Sequence, residues 1–369
     1  MRPLKKVALK KNTLRLVSND STSKPSFSKD SSAASKKSSP KNQLYSQFNI
    51  LDGSHPWQQA VPEGCVMYPV RSVANAKVIY FNFALAKEMG LIAIDHPHHL
   101  NTDLEKKLIE SFSIQIINEY DQKKLKSSNV SAVSKKSHMA TRYLQLQHTD
   151  KTGRTSGDGR GIWNGIVKHK GITWDVSSRG TGVTCLSPGA VEANRPLKTG
   201  STDYGYGCGL AEIDELLAAA IMAEIIHLQG INTERVLCVL DHGNGHGIGV
   251  RASPNLFRPA HMFLYIKQNR LKELKKSLDF FIDRQVKNER WEVNKTKPTY
   301  EWMLENIAKD FARFAAKLEV EYIFAWLDWD GDNVLADAGI IDYGSIRQFG
   351  ACHNHYRYDD VQRFSTSLK

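Results

Sequence analysis

The stretch Trp326–Gly344, WLDWDGDNVLADAGIIDYG, sets Asp328, Asp330, Asp332 and Asn333 within six residues and Asp342 ten residues beyond Asp332. Carboxylates packed this closely repel one another unless a cation or fixed donors lie among them. The flanks Tyr322–Leu327 and Ala338–Tyr343 are apolar and rich in β-branched and aromatic residues. That pattern predicts a strand, an acidic loop, a short return and a second strand ending in Asp342-Tyr343-Gly344.

Two cation chemistries compete for such a loop. Asp328, Asp330 and Asp332 fall at the first, third and fifth places of a calcium loop. The sixth place would then need Gly and the twelfth a bidentate Glu. Asn333 and Gly339 stand there, which excludes it. The other chemistry is the metal half of a kinase-like nucleotide site, with an Asp base, a nearby metal-binding Asn and an Asp-aromatic-Gly turn that holds Mg²⁺. Asp332, Asn333 and Asp342-Tyr343-Gly344 supply those types in that order. A merely solvated acidic hairpin fits poorly between apolar flanks.

The remainder of the chain is long enough to support such a site. With 369 residues, 41% of them hydrophobic, it can bury a large core and hold two lobes. The net charge of +11 suggests nucleic acid until it is located. Residues 1–44 carry eleven basic residues against two acidic ones, which leaves the remainder nearly neutral. This Lys- and Ser-rich segment is expected to be a disordered tail, at most a weak arm for nucleic acid or another polyanion. Lys10 and Lys11 interrupt Val7-Ala8-Leu9, too short for the apolar core of a secretory signal. A transit peptide would favour Arg over Lys and lack Asp20 and Asp30. No stretch approaches 18 uninterrupted apolar residues, so no membrane span is expected. Five scattered cysteines, Cys65, Cys185, Cys208, Cys238 and Cys352, read as reduced thiols. A cytoplasmic location follows, with the mitochondrion as the alternative.

Taken in order, Ala76–Gly90 reads as a strand running into a short helix that Gly90 stops. Asp95-His96-Pro97-His98-His99 reads as a surface turn, not a metal site, because Pro97 interrupts it and no second ligand cluster accompanies it. Asn101–Phe112 is helical, and Lys123–Ser137 is a polar insert expected to be a mobile loop. Gly157-Asp158-Gly159-Arg160 then opens a turn into a hairpin of Ile162–Val167 and Ile172–Val176. Such a turn can bring backbone amides to phosphates, with Arg160 as a bidentate donor. Arg179 ends the second strand, where a kinase-like site places its phosphate-binding cation. Ser201–Gly209 reads as a second flexible loop.

In the next stretch, Ile213, Leu216, Leu217, Ala220, Ile221, Ile225 and Leu228 form a stripe at helical spacing and predict a core helix ended by Gly230. Its Glu215 and Glu224 are candidates to pair with the phosphate-binding Arg. Arg235–Asp241 and Gly247–Ala252 predict a hairpin; its glycines imitate a dinucleotide motif, but no helix follows. Arg251 and Arg258 lie on and just past its second strand. Leu271–Lys287 and Tyr300–Leu318 are amphipathic helices leading to the acidic loop.

These motifs together resemble the selenoprotein O family over roughly Tyr45 onward. Ala76–Gly90 is similar to the family's early segment. Gly157-Asp158-Gly159-Arg160 matches its Gly-Asp-Gly-Arg, and Gly230-Ile231-Asn232-Thr233-Glu234-Arg235 resembles its Gly-Ile-Pro-Thr-Thr-Arg. Arg251 and Arg258 keep its arginine spacing, and Gly331-Asp332-Asn333 through Ile341-Asp342-Tyr343-Gly344 resembles its Thr-Asp-Asn to Ile-Asp-Tyr-Gly run. Departures are Arg179 for a Lys, Tyr206-Gly207-Cys208-Gly209 for a second Gly-Asp-Gly-Arg-like loop, Asp330 for an Asn, and Ala219 where the partner Glu falls, one turn after Glu215. The chain is also short beyond Asp342, which makes it a divergent relative.

The resemblance implies an α+β, bilobed protein-kinase-like fold with a β-rich N-lobe, residues 45–252, and a helical C-lobe, residues 253–369. It implies an Mg-dependent protein adenylyltransferase that binds ATP in an inverted orientation and moves AMP to Ser, Thr or Tyr hydroxyls of protein substrates. Carried over, Gly157, Gly159, Arg160, Arg179, Arg251, Arg258 and Asp342 would bind nucleotide, Asp332 would be the catalytic base, and Asn333 with Asp342 would hold Mg²⁺. The alternative is an ATP-binding pseudokinase-like interaction protein without transferase activity.

Overall fold

A computed structural model describes residues 44–125, 137–145, 154–201, 208–320 and 330–343. The basic tail, Tyr206-Gly207, the strand expected at Tyr322–Leu327, Asp328, Gly344 and Cys352 lie outside the described residues. What is described is an α+β protein built on a nine-stranded antiparallel sheet. Its strands are β1 (Cys65–Ser72), β2 (Lys77–Phe81), β3 (Ile114–Ile116), β4 (Ser137–Leu144), β5 (Thr155–Gly157), β6 (Gly161–His169), β7 (Ile172–Arg179), β8 (Arg235–Asp241) and β9 (Gly247–Ser253). They run in the order β2-β8-β9-β7-β6-β4-β1-β3, with β5 paired to β4. A separate two-stranded hairpin joins β10 (Val334–Leu335) and β11 (Gly339–Ile340).

The helices are α1 (Trp57–Ala60), α2 (Phe83–Glu88), α3 (Thr102–Phe112), α4 (Glu119–Leu125), α5 (Pro188–Ala193), α6 (Ile213–Leu228), α7 (Pro259–Lys267), α8 (Leu271–Lys287) and α9 (Thr299–Val320). Local chemistry sets several boundaries. Asn82 and Asn101 cap α2 and α3, their side-chain oxygens accepting from Leu85 N at 3.0 Å and Leu104 N at 2.9 Å. Gly90 follows α2 at φ 69°, and a Cβ there would meet the His169 ring at 2.3 Å, so both backbone and space require glycine. Lys170 and Gly171, both at positive φ, form the two-residue turn between β6 and β7 that suits the right-handed strand twist. Two histidines of the Asp95–His99 turn serve packing: His96 pairs with the Tyr45 hydroxyl at 2.8 Å, and His98 stacks on Phe83.

Three sequence expectations need correction. Helix α6 buries only part of the stripe its spacing suggested: Leu216 and Ala220 are buried, but Ile221, Ile225 and Leu228 are 63%, 44% and 83% exposed. Leu216 and Ala220 pack together with Ala219 on Val236 and Val239 of the sheet, and Ala223 is buried as well. A helix apolar all round carries no periodic signal for its buried face; here the small alanine side lets it lie close to the sheet. Lys123–Leu125, expected in a loop, are the last turn of α4. Finally, β1 and β4 went unseen: β4 is buried on both faces, so it lacks alternation, and Pro69 interrupts β1.

A buried charge joins the sheet to the helices that follow it. Asp175 on β7 accepts from Arg284 Nη1 of α8 at 2.5 Å and from Leu256 N at 3.0 Å, and pairs with His55 Nε2 at 3.0 Å. Burial opposes ionisation of Asp175, but Arg284 and His55 outweigh it and hold the carboxyl below its ordinary value. Asp175→Ala strands the Arg284 charge and is expected to cost about 3–5 kcal/mol. Urea unfolding followed by circular dichroism checks this, and a loss below 1 kcal/mol would mean the node is dispensable.

Candidate functional site

Four arginines brought together from separate elements define the site. Arg160 ends the β5–β6 turn, Arg179 ends β7, Arg251 lies on β9, and Arg258 precedes α7. All four line one cleft of about 190 Å³, together with Gly159, Asp332, Asn333, Asp342 and Glu215. Of the nine residues given nucleotide, metal or base roles from sequence, only Gly157 lies off the cleft. A Cβ at Gly157 would meet the Thr141 carbonyl oxygen at 2.0 Å, so its glycine serves the β4–β5 pairing. At Gly159 a Cβ would lie 2.7 Å from Ser187 Cα, so this glycine lets the start of α5 close against the turn.

Like charges in one cleft demand counter-charges, and two glutamates provide them. Glu215 of α6 receives a fork from Arg160, at 2.9 and 2.6 Å, and lies 3.2 Å from Arg179 Nη1. Burial works against the Glu215 charge, but Arg160 and Arg179 prevail and hold its carboxyl below the ordinary value. Buried Glu234 receives Arg251 Nη1 at 2.9 Å, while Arg251 Nε donates to Ser177 Oγ across the β7–β9 pairing, also at 2.9 Å. Glu224, the other candidate on α6, pairs with Arg235 instead, which also holds Glu88. Arg258 stacks 4.8 Å from the Tyr143 ring centre and donates to the Asp332 carbonyl at 2.7 Å.

The ten-residue separation of Asp332 and Asp342 is a hairpin. Val334 pairs with Ile340 and Leu335 with Gly339; Asp332 sits in the turn that leads into this ladder, where Asn333 N donates to the Asp330 carbonyl at 2.9 Å, and Asp342 lies two residues past its end. Asp332, Asn333 and Asp342 all line the cleft, so two carboxylates and an amide, all oxygen donors, edge it. No group of three or more His, Cys, Asp or Glu side chains suited to a metal occurs among the described residues. That donor set still fits Mg²⁺, which is held by one or two carboxylates with water and substrate phosphates completing the octahedron. Tyr343 anchors the hairpin: its hydroxyl donates to the Glu234 carbonyl at 2.8 Å and lies 2.7 Å from Thr233 Oγ1. The Gly230–Arg235 motif thus seats the Asp-Tyr pair and also supplies Glu234.

Sequence reasoning missed the residues that set this geometry. Asp158 is buried, and its Oδ2 accepts from Thr141 N at 2.8 Å, Thr141 Oγ1 at 2.6 Å and Trp163 Nε1 at 2.8 Å. It is the fixed floor of the Gly-Asp-Gly-Arg turn, legible only as part of that motif. His261 Nδ1 accepts from Arg258 N at 3.0 Å, which leaves Nε2–H to donate to Thr141 Oγ1, also 3.0 Å away. Tyr143 and His261 carried no local sequence signal.

The cleft is smaller than the roughly 300 Å³ at which pockets begin to enclose a whole drug-sized ligand. Its walls suit a phosphate chain with a metal. A cavity of about 500 Å³ opens at the hairpin's tip, but its charges do not converge as these do. Compared with known proteins, the chain matches no family model and no curated sequence.

Two measurements test this geometry. Glu215→Ala leaves Arg160 and Arg179 facing each other without their carboxylate, so a loss of about 2 kcal/mol in chemical denaturation is expected. An unchanged midpoint would show that solvent alone neutralises the pair. His261 is buried neutral, and desolvation lowers its pKa to about 4. Between pH 6.5 and 4 the unfolded chain binds a proton that the folded one refuses, so stability falls as pH falls. The loss is roughly 3 kcal/mol across that window. His261→Asn is expected to flatten this part of the stability–pH curve, and an unaltered slope would be the contrary result.

Proposed function

We propose that the arginine cleft binds ATP with Mg²⁺ and transfers the AMP moiety to Ser, Thr or Tyr hydroxyls of other proteins. The observation that carries this reading is convergence. Eight residues picked from the sequence for phosphate, metal and base roles, drawn from five separated stretches, line one cleft. On this reading the sheet and helices α7–α9 belong to a bilobed kinase-like arrangement related to selenoprotein O proteins. Its setting is the cytoplasm, and no described helix is long and apolar enough to cross a membrane.

The chemistry uses the residue types present. Arginines from β7, β9 and the approach to α7 would hold phosphate oxygens by charge-assisted hydrogen bonds. Asn333 and Asp342 would hold Mg²⁺, which when bound draws charge from the phosphate oxygens. The substrate hydroxyl oxygen attacks the α-phosphorus, the bond to the bridging oxygen breaks, and pyrophosphate leaves. Asp332 takes the hydroxyl proton. Preorganised cations at the reacting phosphorus are worth on the order of 3 kcal/mol each.

One observation favours a second reading, an ATP-binding protein without transferase activity. Both amino groups of Arg160 are engaged by Glu215, which leaves that guanidinium turned to a carboxylate and not to a phosphate.

Labelled ATP separates the readings. With Mg²⁺ and a candidate protein substrate, the α label is expected to transfer and the γ label is not. Asp332→Asn is expected to abolish transfer and keep ATP binding. Binding without transfer of either label supports the second reading, and no ATP binding defeats both. Arg179→Ala is expected to weaken ATP binding by about 2 kcal/mol in calorimetry. Unchanged affinity would remove Arg179 from the phosphate set.

A further inference from the structure

Arg160 already holds an anion, and that anion is a side chain. Glu215, in the first turn of α6, lines the cleft beside the four arginines, its side chain 38% exposed. Its two oxygens accept the Arg160 fork at 2.6 and 2.9 Å, and Oε1 lies 3.2 Å from Arg179 Nη1. Burial opposes the charge on Glu215, but the two arginines outweigh it and keep the carboxylate ionised. A carboxylate and a terminal phosphate group offer a guanidinium the same paired oxygens, so they compete for one donor face.

The other glutamate is placed differently. Glu234 is buried and is not part of the lining, so it neutralises Arg251 without standing in a ligand's way. Among the described residues Arg251 bonds through Nε and Nη1 and Arg258 through Nη1 alone, so each keeps its other terminal amino group, Nη2, to give. Arg160 has no such reserve, since Nη1 and Nη2 both go to Glu215. A phosphate chain entering this cleft of about 190 Å³ meets an ionised carboxylate inside it, and like charges that close do not share the space. Glu215 can leave without moving α6, because its side chain is long, rotatable and already partly exposed.

We propose that Glu215 is a built-in competitor: it takes the place of one phosphate group at Arg160 and Arg179 until a phosphate chain displaces it. The inference rests on the reading of the cleft as a phosphate site and adds how that site is regulated; it holds whether or not AMP is transferred. The exchange also selects its ligand. A lone carboxylate or chloride gains nothing by replacing Glu215, whereas the linked groups of a diphosphate or triphosphate reach Arg251 and Arg258 at the same time. Breaking the Arg160–Glu215 pair is thus the event that commits Arg160 to the ligand.

The test titrates the full chain with inorganic tripolyphosphate in a calorimeter. Glu215→Gln keeps the size of the side chain and removes its charge, and is expected to bind roughly tenfold more tightly than the wild type. Asp214→Asn, at an exposed acid one residue earlier on α6, is expected to stay within about twofold of the wild type. Unchanged or weaker binding by Glu215→Gln would mean that Glu215 holds the arginines ready instead of blocking them, which overturns the proposal and leaves the phosphate site standing. An equal gain in Asp214→Asn would reduce the effect to net charge and overturn it too. Binding by neither the wild type nor Glu215→Gln would defeat the phosphate reading itself, and the proposal with it. Should Glu215→Gln fail to fold, a crystal of the wild-type chain grown with tripolyphosphate decides. Arg160 is expected to hold phosphate oxygens with Glu215 turned away, and a bound chain beside an intact Arg160–Glu215 fork would be the contrary result.

Discussion

Four guanidiniums share one cleft, and the local architecture follows from the need to neutralise them. At partly buried positions their mutual repulsion is screened far less than in water. Glu215 answers Arg160 and Arg179; Glu234 answers Arg251; Arg258 is steadied by the Tyr143 ring and the Asp332 carbonyl. Glu215 can do this only because α6 lies close over the sheet, and that closeness depends on the alanines it turns inward. Burial disfavours the Arg179 charge, with Glu234 and Glu215 acting against that effect. The interior face of α6 and the charge balance of the cleft are therefore one constraint.

The acidic side of the cleft is built differently. A two-residue ladder is too short to hold a hairpin in water, so β10 and β11 depend on what they rest against. Thr233 and Glu234 supply that through Tyr343, and Asn232 adds a bond to the Asp337 carbonyl at 3.1 Å. Leu335 and Ile341 enter the aromatic core around Trp57, Trp163 and Phe257. The same short segment thus faces two cavities, its base toward the arginines and its tip toward Trp174. Any shift of the hairpin would be felt in both.

Beneath the cleft, two buried aspartates hold elements that belong to distant parts of the chain. Asp158 fastens the turn before β6 to β4, and Asp175 fastens β7 to α8 and to His55. Each carboxylate is held by three donors, the condition under which a buried carboxylate supports a unique arrangement and does not weaken it.

Much of this was legible in the sequence. The β6–β7 hairpin, the β8–β9 hairpin, α3, α8 and α9 all follow from periodicity, caps and turn residues, because those signals act over a few residues. Arg160, Arg179, Arg251, Arg258, Asp332, Asn333 and Asp342 could be singled out because each sits in a local motif whose residue types suit phosphate or metal. Glu215 could be chosen over Glu224 only through an assumed alignment; the structure gives the two acids different arginines. Other features had no local signature. Which face α6 buries, what Gly157 makes room for, and that Tyr143, Asp158, Glu234 and His261 build the cleft were decided by strand order and packing. A sequence specifies which side chains can carry charge or accept a proton, since that is a property of the residue. Where their charges are matched depends on contacts between residues a hundred or more positions apart, such as Arg258 with Tyr143 or Asp175 with Arg284, and only the tertiary structure brings those together.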